Sequence, residues 1–347
     1  MSITSMNIIK TIRTHSEPIN TLLICKNGNL VSGSLGRIVF YSKDNLEPIL
    51  RINEFKGYYV SHINELHKDN TFIICHIGFK ILETTNDNKK YKVLFSYYER
   101  FMMNKSLEFK YNYISDSNKE ETKYSLLIST VYGINIFEES KINNNDSKKE
   151  DNKMEEKNKK SEINNKNKIN EHEITYNIFQ INNNCFVSTS NSVLASGNNC
   201  LRFWSYTEMN NIQTINNLFC SSGIYSIALY EKHKLLVGLE KIPKYLIRSK
   251  DIRENLNING IAVINLEYNE IVQLIETHNC IRSLLLTSNN TIIAGSTFNL
   301  IQYKFNGGML EKIGEKELFN YINNAIVEIG VNTYATGSNN KLILIIK

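Results

Sequence analysis

Apolar and polar positions alternate in short runs along most of the chain. The pattern is plainest over Leu30–Tyr41, LVSGSLGRIVFY: an apolar pair, a small-residue step at Gly33, a turn, and an alternating run that ends on an aromatic. Alternation with a period of two marks a half-buried strand. The phrase returns as VLASGNNCLRFW (Val193–Trp204), TIIAGSTFNLIQY (Thr291–Tyr303) and YATGSNNKLILII (Tyr334–Ile346). Looser copies are FIICHIGFKIL (Phe72–Leu82), LLISTVYGINIF (Leu126–Phe137) and LLVGLEK (Leu235–Lys241), the last completed late by GIAVINL (Gly260–Leu266).

Aligned on Gly33, the equivalent positions are Cys75, Ser129, Gly197, Gly238, Gly295 and Gly337, with gaps of 42, 54, 68, 41, 57 and 42 residues. Each of the three long gaps holds an extra segment. A period near 40–45 residues built from short alternating strands is that of a propeller blade. A four-stranded sheet cannot bury both faces alone, and radial stacking lets each blade cover the next. The expected fold is therefore all-β, a seven-bladed β-propeller forming one domain over residues 1–347. Met6–Ile12 also alternates, but it precedes the first full blade. It is expected to supply the outer strand of the last blade and so close the ring, which removes exposed sheet edges. Asn27-Gly28 predicts a tight hairpin between the first two strands of blade one. Ile174–Phe179 is read as the outer strand of blade three.

With this repeat in hand, the chain resembles the WD40-repeat β-propellers. Thr14-His15 and Thr277-His278 stand near the place of that family's Gly-His pair. Trp204, followed by Ser205, holds one of its Trp places, and Tyr41, Phe137 and Tyr303 fill others. The resemblance implies that such histidines are structural, hydrogen-bonding within their own blades. It also implies a non-catalytic role in assembling protein complexes.

Composition changes this picture little. Forty-one per cent of residues are hydrophobic, with 19 Tyr and 15 Phe, which suits a strand-rich core. Only three Pro and 16 Gly leave the turns to Asn, Asp and Ser. A net charge of +5 is too small to argue for nucleic acid without clustering. The six cysteines are scattered, with no metal-ligand spacing, so no metal or cofactor is expected. The N-terminus lacks the apolar core of a signal peptide and no apolar run is long enough to span a membrane. Together these predict an intracellular protein, cytoplasmic or nuclear.

Two segments interrupt the repeat. Lys141–His172 carries nine Lys and seven acidic residues with few apolar ones. It cannot bury enough surface to offset its ordering entropy, and is expected to be a disordered insertion. The second lies in blade five, Lys241–Asn259, KIPKYLIRSKDIRENLNIN. Here Lys241, Lys244, Arg248 and Lys250 precede the first acid, Arg253 follows it, and Tyr245 sits among apolar neighbours. On the upper face of a propeller such a loop would draw acidic peptides or phosphates. Tyr58, Tyr59, Tyr225, Arg282 and Tyr321, where the chain enters inner strands, are further partner-binding candidates, since Tyr and Arg dominate interface hot spots.

No GxSxG, HExxH, P-loop or dinucleotide-binding motif is present. The reading is a scaffold that binds other proteins. One alternative is a phosphoinositide-binding propeller at membranes. The family of that kind carries Phe-Arg-Arg-Gly where this chain has Cys280-Ile281-Arg282-Ser283, which disfavours it. The other is a hydrolase on a propeller scaffold, which requires histidines and carboxylates that converge on the channel.

Overall fold

Among the described residues, twenty-five β-strands and no helix make up the regular structure. The computed structural model describes residues 6–114, 120–130, 133–138, 168–170, 175–190, 200–206, 210–215, 222–241, 258–268, 270–318 and 321–347. None of these residues lies in a helix long and apolar enough to cross a membrane.

The strands form seven blades around a central channel. After β1 (Ile8–Ile12), blade one is β2 (Ile19–Ile24), β3 (Leu30–Tyr41) and β4 (Pro48–Tyr59). Blade two is β5 (His62–Glu65), β6 (Thr71–Thr84) and the first half of β7 (Tyr91–Ile114). The second half of β7 opens blade three, with β8 (Glu120–Thr130), β9 (Gly133–Glu138) and β10 (Lys168–Asn170). Blade four is β11 (Thr175–Gln180), β12 (Cys185–Ser190), β13 (Cys200–Ser205) and β14 (Asn210–Ile215). Blade five is β15 (Ser222–Tyr230), β16 (Lys234–Lys241), β17 (Gly260–Asn265) and β18 (Glu270–Glu276). Blade six is β19 (Ile281–Leu286), β20 (Thr291–Ser296), β21 (Asn299–Asn306) and β22 (Met309–Glu317). Blade seven is β23 (Asn323–Gly330), β24 (Thr333–Ser338) and β25 (Ile343–Ile346), completed by β1. Ile8 pairs with Ile346 and Ile12 with Ile343, so the N-terminal strand closes the ring as its alternation predicted.

In blades one and two a single extended run holds both middle strands. Nine extended residues span about 30 Å, yet Ser32 Oγ and Tyr41 Oη are 3.1 Å apart. β3 therefore turns back at Leu35-Gly36, where Gly36 has φ +72°, a left-handed conformation open to glycine. In β6 the amide of Thr84 donates to Asn70 O at 2.9 Å, and the turn lies at Gly78.

Seven apolar clusters fill the seven seams between adjacent blades. The period-two pattern is what divides each strand between two seams. From β3, Val31, Ile38 and Phe40 pack toward blade two, while Leu30, Val39 and Tyr41 pack toward blade seven with Ile12, Ala335, Ile343 and Ile345. That last seam joins the two ends of the chain.

The repeat position at Gly33 is small because it faces the next blade. A Cβ on Gly238 would stand 2.2 Å from Ser226 Oγ and 2.6 Å from Ile281 O, the latter a backbone atom of blade six that cannot rotate away. Gly238→Val is expected to lower stability by about 1–3 kcal/mol through overpacking. Urea unfolding of the variant would show it, and an unchanged midpoint would refute the steric account.

Blade four departs from the sequence-based alignment. Asn177 pairs with Thr189, as Thr21 pairs with Gly33, so Thr189 and not Gly197 holds the repeat position. Gly197 lies outside the described residues. Locally, the small residues and Asn pair of Ser196–Asn199 imitate the step and turn of blade one, and only strand pairing distinguishes them. Blade three differs too. Thr175–Gln180 is the inner strand of blade four, and the outer strand of blade three is Lys168–Asn170, which pairs with Gly133–Asn135. A three-residue polar edge strand carries no apolar alternation to detect. The rest of the predicted insertion, 141–167 and 171–172, lies outside the described residues.

The candidate functional site at the mouth of the channel

The inner strands break their own alternation at one recurrent place. Asn20, Asn104, Tyr176, Tyr225, Arg282 and Asn324 are each an extra residue at a register shift, next to Thr21, Lys105, Asn177, Ser226, Ser283 and Ala325. In blade two, Ser61 stands in the same place, its amide donating to Cys75 O at 3.0 Å. Consecutive strand residues normally point to opposite faces. A bulge re-aims one of them, and here pairs such as Asn20 and Thr21, Asn104 and Lys105, or Arg282 and Ser283 line the same space. That space is a polar cavity of about 320 Å³ at the end of the channel where the chain enters its inner strands.

Two charged side chains define the cavity. Arg282 sits over the ring of Tyr225, its carbon 5.4 Å from the centroid, and its Nη2 is 3.6 Å from Glu240 Oε1. Lys105 reaches toward Asn177, with Nζ 3.5 Å from Oδ1, and burial lowers the pKa of its ammonium. His62 is the histidine lining the cavity. Burial, and then the Lys105 charge, push its pKa down to about 3, so the ring is neutral, with Nδ1 taking the amide hydrogen of Ser106 at 3.2 Å. Asn177 donates to Tyr225 O at 3.1 Å and Asn324 to Ile19 O at 3.0 Å, so the ring of amides also ties blade to blade.

A patch of rings adjoins this mouth. Tyr58 and Tyr59 end β4, the outer strand of blade one, and are 39% and 46% exposed; Tyr98 is 62% exposed. His76 lies buried beneath them, 5.4, 5.9 and 5.7 Å from the ring centres of Phe55, Tyr58 and Tyr98. Burial foremost, and the charge of Lys80 after it, bring its pKa down to about 4.

The structure brings together two of the sequence-derived candidates, Tyr225 and Arg282, at the cavity, and Tyr58 and Tyr59 beside it. Tyr321 is different. It is 3% exposed and donates to Thr336 O, with Leu342 O 3.1 Å away, so it ties blade seven internally and offers nothing to a partner. Lys241 is exposed at the end of β16, its amide held by Asn259 Oδ1 at 2.7 Å. Lys244, Tyr245, Arg248, Lys250 and Arg253 lie outside the described residues. Sequence reasoning missed Lys105, His62, Asn177 and Tyr98. The signal was there in part: two non-core residues in succession, as in Ile19-Asn20-Thr21-Leu22 and Ile281-Arg282-Ser283-Leu284, mark the bulge.

The repeat-equivalent histidine of blade one is structural. His15 Nδ1 is 2.7 Å from Ser34 Oγ and Nε2 2.5 Å from Ser32 Oγ, and Tyr41 Oη joins Ser32 to Thr14. Burial first, then Arg37, hold its pKa near about 4, and the neutral ring can donate to one serine and accept from the other. Trp204 repeats the arrangement in blade four, its indole N–H donating to Ser188 Oγ at 2.9 Å. Among the described residues no group of three His, Cys, Asp or Glu could hold a metal ion, and the cavity lining contains no carboxylate.

No family model matches the sequence, and no curated protein matches it. Among solved structures, a chain in the crystal structure of a mitotic checkpoint complex superposes with a TM-score of 0.66 over 98% of this chain and 93% of that one, at 10% identity. The WD40 β-propeller domain of Doa1 superposes with a TM-score of 0.62 over 99% of this chain and 97% of that one, also at 10% identity. Seven closed blades, the His–Ser–Tyr tie of blade one and these two likenesses together show a seven-bladed β-propeller with the fold of the WD40 domains.

Proposed function

We propose that this protein is a scaffold that binds other proteins, and that an acidic peptide segment of a partner docks on the upper mouth of the channel. The observation that carries this reading is the exposed cluster of Tyr58, Tyr59 and Tyr98 beside a mouth whose charged lining is basic. Rigid aromatic side chains supply large contact area at small entropic cost and dominate hot spots. Lys105, Arg282 and Lys241 would attract acidic residues and set the approach. The fold likeness to a chain of a checkpoint assembly agrees with a scaffold role.

The test compares proteins that copurify with the tagged chain and with the variant Tyr58→Ala/Tyr59→Ala/Tyr98→Ala. A defined set is expected with the parent, weakened by added salt, and lost from the variant by at least about tenfold in affinity. An unchanged set would move the interface elsewhere. A second variant, lacking 242–257, examines the basic loop and retains Asn259, which holds Lys241 and donates to His278 O at 3.1 Å. Flotation with phosphoinositide vesicles at physiological salt addresses the membrane reading, which binding there would revive.

A further inference from the structure

The cavity contains a charge that no described residue answers. Lys105 is partly buried, and its nearest polar contact is the side-chain oxygen of Asn177 at 3.5 Å, the far limit of a hydrogen bond. Among the described residues no carboxylate pairs with it, and burial alone acts on its pKa. Glu240 lies by Arg282 and offsets that guanidinium. His62 is neutral. The cavity is thus left with about one uncompensated positive charge. An ammonium taken out of water without a counter-charge is costly, and a methionine would fill the same space without that cost.

We propose that the channel binds a small phosphate-bearing molecule, held by Lys105 with Arg282 and Thr21 beside it. All three line the same cavity. Its volume, about 320 Å³, is of the size that small-molecule sites have. A phosphate group presents more acceptor oxygens than a carboxylate, and among the described residues no acid lines the cavity to repel it. The site shares Lys105 and Arg282 with the partner reading, but it needs neither the exposed tyrosines nor the basic loop.

The test uses the full chain with inorganic phosphate and glycerol 3-phosphate as probes, against chloride at matched ionic strength. Phosphate is expected to raise the thermal midpoint saturably, as ligands of the folded state do. Lys105→Met should bind at least about tenfold more weakly, the loss of a charge-assisted contact. In chloride alone its midpoint should equal or exceed the parent's, because it removes an unpaired charge. Arg282→Gln serves as a second variant should Lys105→Met fail to fold, and should weaken phosphate severalfold. Flotation with vesicles containing phosphatidylinositol 4-phosphate separates the sources. Lipid binding that needs Lys105 without any response to free phosphate would assign the group to a headgroup. A response of equal size in parent and both variants, or none to either free or lipid-borne phosphate, overturns the proposal.

Discussion

Acidification from pH 7 to pH 4 is expected to remove most of the protein's stability, with the loss beginning near pH 6.5. Three buried or half-buried histidines set this window. His15 and His76 have pKa values lowered to about 4 and His62 to about 3, in each case chiefly by burial, then by Arg37, Lys80 and Lys105 respectively. In the unfolded chain each titrates near its ordinary value of about 6.5. The folded state therefore binds fewer protons, and the stability tied to the neutral rings is fully present above pH 6.5. It is lost as the pH falls toward the folded values. Each unit of difference is worth about 1.4 kcal/mol, so the three rings together account for something on the order of 5–10 kcal/mol, comparable to the whole stability of a typical domain. Glu108, whose carboxyl burial pushes upward, acts in the opposite sense and offsets a small part. Urea unfolding at pH 7, 6, 5 and 4 measures the effect. His76→Phe and His15→Gln should each flatten the profile, and a parent midpoint that does not move between pH 6.5 and 5 would rule out this account.

Removal of residues 1–13 should have an effect of similar size. β1 covers β25, and Asn7 and Lys347 exchange two backbone hydrogen bonds at 2.8 and 2.9 Å. Ile12 and Met6 are 6% and 5% exposed and belong to seams on either side of blade seven. Burying two such side chains is worth about 1.5–3 kcal/mol each, and the lost ladder bonds about 1 kcal/mol apiece. The total is at least about 5 kcal/mol. The truncation also bares Ile343–Ile346, four consecutive apolar residues on an open sheet edge, which invites pairing with another chain. The shortened protein is expected to aggregate on size exclusion and to lose a single cooperative unfolding transition. A monomer with the parent's midpoint would mean that the ring does not depend on this strand. Ile12→Asp offers a milder version, since it places a charge in the seam with Ile19, Leu30 and Tyr41.

The difference between what could and could not be read in advance lies in how far each feature depends on distant residues. The paired middle strands of blades one, six and seven were legible, because alternation and a small residue at Gly33, Gly295 or Gly337 are properties of a dozen adjacent residues. Closure by Met6–Ile12 was legible because a blade short of a strand and a strand without a blade can be matched by counting. The polar tie at His15 followed from its place in the repeat. The outer strand Lys168–Asn170 was not legible, since an edge strand gains little by being apolar. Sequence alignment assigns the repeat position of blade four to Gly197 and not Thr189 because small residues followed by Asn imitate the step of blade one, and only strand pairing distinguishes the two.

The sequence by itself therefore determined an all-β chain, its seven blades and the strand that closes them, since each rests on local alternation repeated at a regular interval. Tertiary structure alone decided the rest. Why Gly238 must be small depends on Ile281 in the next blade, 43 residues on. That Tyr321 is buried while Tyr58 is exposed depends on which strand each one borders. That Lys105 and Arg282 share one cavity depends on bulges that turn side chains from different blades toward a common axis, and a linear chain has no such axis until the ring is closed.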